Sequence, residues 1–265
     1  MDFLELYNIK DEFEQVNQLY TIFDENARLN RSRAARIEFI TTVKYIEKYL
    51  KPKGKILDIG AGAGEYSIYF AEKGHSVCAI ELADNNIRAF RNKITPGMKI
   101  DLSQGNALDL SRYQSNSFDI VLLFGPLYHL HKREDRLKCI EEAKRVLKPD
   151  GVIFFSFIQN DMVILTEMCY DKEYLKGGTY DHTTFKVEDF PFVFSSAPEI
   201  RELLSLSGIN IIHEIASDGA SELLQDKING LDDEAYAQYV KYHFHICEKK
   251  EMLGMSNHLL FIGKK

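Results

Sequence analysis

The chain of 265 residues contains no tryptophan and only six prolines and four cysteines. The cysteines, Cys78, Cys139, Cys169 and Cys247, are widely separated, and no C-x-x-C pair occurs. This spacing argues against a zinc ribbon or a redox-active dithiol, and we expect four reduced, packed thiols.

Long apolar runs are also missing. No run approaches the roughly 20 apolar residues that a membrane-spanning helix requires. The first five residues, Met-Asp-Phe-Leu-Glu, lack the cationic and apolar start of a signal peptide. The sequence therefore predicts a cytoplasmic protein without a membrane segment.

Acidic residues outnumber basic ones: the chain has 40 aspartates and glutamates and 33 lysines and arginines, so its net charge is −7 at pH 7. Such a chain offers no broad basic surface to a nucleic acid backbone, so a nucleic acid substrate is disfavoured. The composition, 45% hydrophobic and 28% charged, suits a single globular domain of the α/β type with an appended lid.

A strand followed by a glycine-rich turn stands near the start of the predicted domain. Lys55–Ile59 is mostly apolar, as in a strand that is buried on both faces of a parallel sheet. Gly60, Gly62 and Gly64 follow in alternation. Residues without Cβ tolerate positive φ and allow a ligand to lie against the backbone, so the pattern predicts a ligand-binding turn.

The next segments complete a strand, helix, strand unit. Residues 65–73 have helical spacing and Gly74 follows as a C′ glycine. Residues 76–80 are prone to form a strand, and Glu81 stands at its carboxyl end. Ligands of open α/β sheets bind at the carboxyl ends of the strands, and a carboxylate there can accept both hydroxyls of a ribose.

The spacing of the glycines distinguishes between nucleosides. A dinucleotide fingerprint requires G-x-G-x-x-G, whereas this chain has G-x-G-x-G followed by Glu65. A glutamate at the start of the helix would repel a pyrophosphate. A cationic or zwitterionic nucleoside is free of that conflict.

The run Asp58-Ile-Gly-Ala-Gly-Ala-Gly64 resembles motif I of the class I S-adenosylmethionine-dependent methyltransferases, and Glu81 matches the acidic residue that ends their second strand. The resemblance implies a Rossmann-like, doubly wound sheet of seven strands, mostly parallel and with an antiparallel last strand. It also implies S-adenosylmethionine as the cofactor. The cofactor-binding residues that it implies are Asp58, Gly60, Ala61, Gly62, Glu81, Leu82, Asn106, Ala107 and Phe124.

Two further segments extend the resemblance. Gly105-Asn106-Ala107 is similar to the segment, commonly Gly-Asp-Ala, that lies beside the adenine in this family. An amide oxygen can still accept from the adenine amino group, although an Asx turn would also explain Asn106. The segment 143–151 is similar to the helix and turn that precede the family's fifth strand, here expected over Val152–Phe157.

Phe118–Leu123 is predicted to be the fourth strand. The resemblance implies that the end of this strand lies beside the reacting methyl group. Gly125-Pro126 breaks the chain, so we expect a loop there, carrying Tyr128, His129 and His131. His129 and Tyr128 are the candidate catalytic or positioning residues, although His129 can equally be a packing residue. A metal at the two histidines is disfavoured, since no third ligand stands at a recognisable spacing.

Residues 1–50 are predicted to be helices that form an N-terminal lid. A local basic cluster there contains Arg28 and Arg36, either of which could pair with the carboxylate of the cofactor. A solvated helix start explains the cluster equally well. Residues 51–265 form the expected methyltransferase domain, with an aromatic-rich insertion over about 159–195 as a substrate cover. Further helices over 196–207 and 232–249 and strands over 209–215 and 258–262 are expected to complete the domain.

The function predicted is methyl transfer to a small-molecule acceptor, with the oligomeric state open. One alternative is an NAD(P)-dependent oxidoreductase, since Tyr128-x-x-x-Lys132 superficially matches short-chain dehydrogenases. Those residues belong on a helix, whereas Pro126 and a strand end directly precede them here. A non-catalytic protein that binds S-adenosylmethionine is the other alternative.

Overall fold

The computed structural model describes residues 3–265, and in them eight strands form one sheet. The order across the sheet is β3-β2-β1-β4-β5-β8-β7, and β6 pairs with β5 off this path. The strands are β1 (Lys55–Ile59), β2 (Ser76–Glu81), β3 (Ile100–Gln104), β4 (Phe118–Leu123), β5 (Leu147–Gln159), β6 (Phe194–Ser195), β7 (Asn210–Ala216) and β8 (His258–Lys264).

The sheet is mostly parallel and reverses its winding beside β1. Strand β1 pairs in parallel with β2 on one side and with β4 on the other. Only β8 runs against its neighbours, β5 and β7, among the named strands of residues 3–265. The reversal opens a crevice at the carboxyl ends of β1 and β4. The predicted Rossmann-like, doubly wound sheet with an antiparallel last strand is confirmed, although the seven-strand prediction missed the two-residue β6.

The helices lie on both faces and over the carboxyl ends of the strands. They are α1 (Phe3–Leu6), α2 (Glu12–Ile22), α3 (Glu25–Arg28), α4 (Arg33–Tyr49), α5 (Glu65–Glu72), α6 (Asp84–Lys93), α7 (Pro126–His129), α8 (Arg133–Val146), α9 (Asn160–Tyr170), α10 (Tyr174–Gly177), α11 (Ala197–Leu206), α12 (Gln225–Asn229), α13 (Asp233–Ile246) and α14 (Lys250–Leu253). Helix α11 begins with a capping box, in which the side chain of Ser196 accepts the backbone N–H of Glu199 and the carboxylate of Glu199 accepts the backbone N–H of Ser196.

Two apolar layers enclose the sheet because successive strand side chains point to opposite faces. On one face, Leu57 and Val121 pack against α8 and α11. On the other face, Ile56 and Leu122 pack against α4 and α5. Both faces of the central strands are therefore buried, which explains why these strands carry nearly continuous apolar runs.

The N-terminal helices divide into two groups. Helix α4 belongs to the core layer, where Phe39 and Ile46 pack beneath the sheet. Helix α2 lies at the carboxyl edge instead, where Asn17 Oδ1 accepts the backbone N–H of Asp84 at 3.1 Å. Asn85 Nδ2 also donates to the carbonyl of Tyr20 at 2.9 Å. Residues at the end of β2 therefore anchor α2 over the crevice.

Two segments that were expected to be irregular form helices. The segment after Gly125 was expected to be a loop, but Pro126–His129 forms the helical turn α7 because proline fits the first turn of a helix. The insertion begins with the regular helix α9, which Gln159 caps by accepting the N–H of Met162 at 2.6 Å. Its apolar residues, including Val163 and Ile164, form a small separate core with the rest of the insertion.

Two local expectations are corrected. Strand β5 begins at Leu147 and not at residue 152. Cys169 is exposed, so it is not a packed thiol as predicted.

Within residues 3–265, no helix combines the length and the apolar character needed to cross a bilayer.

Candidate functional site

The glycine turn after β1 adopts the backbone that its sequence predicts. Gly60 has φ +72°, and a Cβ added there would lie 2.7 Å from the Cδ of Pro126. The N–H groups of Gly60 and Ala61 both donate to the carbonyl of Ile80, at 2.8 and 3.0 Å. The turn is therefore tied to the end of β2 and leaves its open side free for a ligand.

Glu81 lies at the carboxyl end of β2, with only 4% of its surface exposed. Its Oε2 accepts the N–H of Gly62 at 2.7 Å, and its Oε1 accepts the N–H of Ala83 at 2.8 Å. Burial raises the pKa of Glu81 above its ordinary value, although these backbone bonds act in the opposite direction. The glycine turn and the acidic residue therefore form one hydrogen-bonded unit.

Asp58 lies beneath the turn and is almost fully buried. Its Oδ2 accepts from the hydroxyl of Ser67 at 2.6 Å, whereas Oδ1 is buried and has no partner in residues 3–265. Burial raises the pKa of Asp58 to about 7, and the negative charge of Glu81 adds to the rise. An unpaired buried acceptor at the wall of a cavity is suited to a ligand donor.

Asn106 follows β3 at the same edge of the sheet. Its Oδ1 accepts the N–H of Leu108 at 2.9 Å, which is the Asx turn that the sequence left open. Asn106 and Ala107 nevertheless line the cavity beside Glu81. A local role and a ligand-binding role are compatible here, because an amide oxygen has two acceptor positions.

Helix α7 brings Tyr128 and His129 to the end of β4. The Nε2 of His129 lies 2.9 Å from the hydroxyl of Tyr20 in α2, and its Nδ1 is buried with no partner in the described part of the chain. Burial lowers the pKa of His129 to about 3, with a smaller contribution from His131. Burial also raises the pKa of Tyr128. Both rings are therefore neutral at physiological pH.

The two candidate arginines have different surroundings. The guanidinium of Arg28 donates to Glu38 at 2.6 and 3.2 Å and, through Nε, to Glu25 at 3.0 Å. Arg36 stacks over the ring of Phe39, 3.7 Å from its centroid, and its guanidinium donates to Asn30. Arg28 lines the cavity at the carboxyl edge, and Arg36 does not.

We call this space the first cavity; it holds about 1050 Å³ of empty space, counting the part open to solvent. It brings together all the residues predicted from the sequence except Arg36. These residues are Arg28, Asp58, Gly60, Ala61, Gly62, Glu81, Leu82, Asn106, Ala107, Phe124, Tyr128 and His129.

The polar residues of this wall that the sequence did not predict include Tyr20, Glu25 and Glu38. Tyr20 belongs to the helix α2, where a tyrosine is an ordinary packing residue. Glu38 is 8% exposed and stands between apolar residues of α4. Glutamate is an ordinary helix former, so nothing in the local sequence marks this one as buried.

A second cavity adjoins the first and holds about 1740 Å³, again counting the part open to solvent. Its wall comes from α2 to α4, α9, the insertion, and the segments near residues 218–225 and 257–258. Both cavities are lined by Tyr20, Glu25, Arg28, Glu38 and Tyr128. The shared wall makes the two cavities neighbouring compartments of one site.

Charged side chains alternate across this boundary. His258 Nδ1 lies 2.9 Å from Asp218 Oδ2 and 3.6 Å from Glu38 Oε2. Burial lowers the pKa of His258, but Glu38 and Asp218 outweigh it and raise the pKa to about 9. His258 is therefore charged at neutral pH. With Arg28 and Glu25, these residues form a chain of five alternating charges.

Glu38, Asp218 and His258 also place three potential metal-ligand atoms within 4.8 Å of one another. His129 and His131, at which a metal is disfavoured by the sequence, do not belong to this group. The carboxylates of Glu38 and Asp218 are already paired with the guanidinium of Arg28 and the protonated ring of His258. These ion pairs are sufficient to explain why the three side chains lie together.

Comparisons with known proteins agree with this geometry. The family model described as "Methyltransferase domain" matches residues 57–155. The curated "Putative methyltransferase YqeM" of Bacillus subtilis (strain 168) is 31% identical over 112 residues, which are 42% of this chain and 45% of that protein. The "Ubiquinone biosynthesis O-methyltransferase" of Xanthomonas axonopodis pv. citri (strain 306) is 29% identical over 149 residues, 54% of this chain and 61% of that protein. The chain thus matches only about half of the length of these curated relatives.

Among solved structures, a SAM-dependent methyltransferase from Methanosarcina mazei is similar with a TM-score of 0.55 and 23% sequence identity. The match covers 83% of this chain and 96% of that one. At this identity the likeness establishes the fold alone. The segment 57–155 carries β1 to β5 and all the predicted site residues except Arg28 and Arg36, whereas most of the second cavity lies outside it.

Proposed function

We propose that this chain, whose residues 57–155 match the methyltransferase domain model, is an S-adenosylmethionine-dependent methyltransferase that acts on a small-molecule acceptor. The observation that carries the proposal is Glu81, held by the N–H groups of Gly62 and Ala83 at the mouth of the first cavity. Oε2 keeps a further acceptor position, whereas Oε1 also accepts from Asn86 Nδ2 at the long distance of 3.4 Å. We assign Oε2 to one hydroxyl of the cofactor ribose, and Oε1 to the other in place of the long bond from Asn86.

The residues of the first cavity fit the remaining parts of the cofactor. The unpaired Oδ1 of Asp58 is an acceptor for the ammonium group. Gly60 allows the turn to pack against Pro126 and so keep its shape, because a Cβ there would strike Pro126. We assign Asn106, Ala107 and Leu82 to the adenine.

We assign Arg28 to the cofactor carboxylate, since it lines the first cavity and Arg36 does not. Its guanidinium is already bound to Glu25 and Glu38. A ligand carboxylate that pairs with the guanidinium through two N–H groups would therefore have to displace the carboxylate of Glu25 or Glu38. The assignment thus predicts a rearrangement of these side chains on binding. Bidentate pairing is the geometry that a guanidinium provides for a carboxylate.

When bound, S-adenosylmethionine supplies an electrophilic methyl group on a positively charged sulfur. The protein then has mainly to hold a nucleophile in line with that methyl group, and such positioning supplies about 7 to 11 kcal/mol. Phe124 and Tyr128 present aromatic rings at the end of β4. Contact of a ring face with a cation contributes about 0.5 to 2 kcal/mol.

His129 and Tyr128 are proposed to position the acceptor. A histidine whose pKa is lowered to about 3 is neutral at pH 7 and holds an added proton weakly, so it is a poor general base. Its Nε2 is oriented by the hydroxyl of Tyr20. The other nitrogen, Nδ1, has no protein partner in residues 3–265 and is available to form a hydrogen bond with the methyl acceptor.

The second cavity is proposed as the acceptor chamber. Two segments cover it: α2 and α3 from the N-terminal region 1–50, and the insertion over about 159–195. We assign the lid role to α2 and α3, because α4 is built into the core beneath the sheet. The aromatic residues of the insertion suit an organic small molecule better than a polymer.

The test is calorimetric titration with S-adenosylmethionine, S-adenosylhomocysteine and NADH. We expect micromolar binding of the first two and none of NADH. Glu81→Ala should weaken binding by about 1.5 to 3 kcal/mol, the range for a hydrogen bond to a charged group. The exposed acidic residue Glu72 provides a control, since Glu72→Gln should bind as the wild type does.

Other outcomes decide between the alternatives. Binding of NADH alone would support an oxidoreductase. Unchanged affinity of Glu81→Ala would mean that the ribose is held elsewhere. Binding without any formation of S-adenosylhomocysteine from a broad panel of small acceptors would support a non-catalytic binding protein.

A further inference from the structure

Two carboxylates of the second cavity have no cationic partner within residues 3–265. Glu167, an exposed residue of α9 that lines the cavity, makes no side-chain hydrogen bond or ion pair with any residue of that range. Glu222 accepts a hydrogen bond from the amide of Asn257 and is likewise outside the ion pairs of that range. Burial raises the pKa of Glu167, and the negative charge of Glu222 raises it further. Both carboxylates line the second cavity, and Asn257, which donates to Glu222, also donates to Thr166, the residue before Glu167.

A neighbouring amide oxygen is also without a partner. Asn257 is 8% exposed, and its Oδ1 is buried and unpaired within residues 3–265. Its Nδ2 donates to Glu222 and, at 3.4 Å, to the hydroxyl of Thr166. A flipped amide would place Oδ1 against the carboxylate of Glu222, so the hydrogen bonds fix the orientation. Asn257 lines the second cavity together with Glu167 and Glu222, and its free oxygen lacks the donor that a buried acceptor requires.

The other charges of this cavity do not neutralise the two carboxylates. Arg28 is bound to Glu25 and Glu38, and His258 is bound to Asp218. Arg31 is exposed and forms no ion pair in residues 3–265. With His258 protonated, five carboxylates and three cations line the cavity, which leaves a net charge of −2.

Aromatic rings form much of the remaining wall. The faces of tyrosine and phenylalanine rings attract cations, and a cavity with rings and carboxylates together is the usual surrounding of a bound ammonium group. The aromatic residues of the lining are Tyr20, Phe23, Tyr128, Tyr170, Tyr174, Phe190, Phe192 and Phe194.

We propose that Glu167, Glu222 and the Oδ1 of Asn257 bind a cationic nitrogen of the methyl acceptor, so that the substrate class is amine-bearing aromatic or aliphatic small molecules. The proposal rests on the methyltransferase function proposed above. The cationic nitrogen serves as a handle, and the methyl-accepting atom lies at the wall shared with the first cavity, near Tyr20 and Tyr128. An acceptor that presents a carboxylate or phosphate to this corner would be repelled by both glutamates.

The test uses three probes of nearly equal shape and different charge: 2-phenylethylamine, 2-phenylethanol and phenylacetate. Each is titrated into the full chain saturated with S-adenosylhomocysteine, at pH 7. We expect the amine to bind at least about tenfold more tightly than the alcohol, as for a hydrogen bond to a charged group, and phenylacetate not to bind.

Two variants localise the binding. Glu167→Gln and Glu222→Gln keep the size of the side chain and remove its charge, so each should weaken amine binding about tenfold and leave alcohol binding unchanged. Glu72→Gln, which removes an exposed carboxylate far from both cavities, is the matched control and should bind the amine as the wild type does. The melting temperature of each variant verifies that it is folded.

The result that overturns the inference is equal affinity for amine and alcohol, no binding of any probe at millimolar concentration, or amine binding that neither glutamate variant weakens. Its failure is distinct from failure of the proposed function. If S-adenosylhomocysteine binds and the amine does not, the inference alone is wrong. If the amine binds through the glutamates and S-adenosylhomocysteine does not bind, the methyltransferase proposal is wrong and the cationic site remains.

Discussion

The two cavities are built in different ways. In the first, Asp58, Glu81 and Asn106 come from the ends of neighbouring strands within residues 57–155, and side chains of α2 to α4 complete the wall. The second takes its polar groups from helices and loops that are more than 200 residues apart, such as those of Glu25 and His258. One side of the first cavity is therefore formed by backbone and strand ends, whereas the second is formed by side chains that are distant in the chain. This difference explains why the family match covers one cavity and hardly reaches the other.

The largest effect should come from the glycine turn of the first cavity. Gly60→Ala introduces a Cβ at positive φ, at a strain of about 1 to 3 kcal/mol, and drives it into Pro126. We expect loss of S-adenosylmethionine binding by about 100-fold or more, because the strain and the clash together displace the turn. Calorimetric titration of Gly60→Ala with S-adenosylmethionine measures this loss of affinity.

Gly74→Ala is the matched control, because Gly74 also has positive φ and a Cβ there would meet nothing within 4 Å. It should lower the melting temperature through strain alone and leave cofactor affinity unchanged. Equal binding losses in both variants would show that strain, and not the close approach to Pro126, controls the first cavity.

The histidines of the two cavities should respond to pH in opposite directions. The pKa of His258 rises from about 6.5 in the unfolded chain to about 9 in the fold, so its contribution is complete below pH 6.5 and is lost as the pH rises through 9. We expect the free energy of unfolding to fall by about 2 to 3 kcal/mol between pH 7 and 10 through this group.

The pKa of His129 is lowered to about 3, so the unfolded chain binds its proton first and stability is lost as the pH falls below 6.5. Urea denaturation from pH 4 to 10 measures both effects. In His258→Asn, the free energy of unfolding should fall less at alkaline pH, and in His129→Gln it should fall less at acidic pH. The variant His245→Asn, at an exposed position, should have the same pH dependence as the wild type. A His258→Asn profile that still falls above pH 7 to the same extent would contradict the assignment of the charge chain.

The smallest effect should come from His129 in turnover. If His129 positions the acceptor and is not a base, His129→Gln should reduce kcat about tenfold, well below the 100-fold or more of a lost general base. Cofactor affinity should stay the same. The assay measures S-adenosylhomocysteine release with the best acceptor of the panel, and a loss above 100-fold would restore the general-base role.

The first cavity could be predicted from the sequence because its chemistry depends on local spacing. Three glycines in alternation after an apolar run fix the turn between β1 and α5, and the next strand ends at Glu81. Both features are local in the chain, and the parallel pairing of β1 with β2 brings them together. Local spacing could not distinguish Arg28 from Arg36 as the ligand of the cofactor carboxylate. Only packing turns Arg28 inward and places Arg36 over the ring of Phe39.

The sequence by itself determined the order of the strands through to β5, the glycine turn and the acidic residue that faces it, since each depends on the period of apolar residues or on backbone freedom. Only the tertiary structure decided that Glu38, Asp218 and His258 form one charged chain and that Glu167, Glu222 and Asn257 share a wall. The physical reason is that burial and pairing of a charged side chain depend on partners far away in the chain, and no local pattern encodes them.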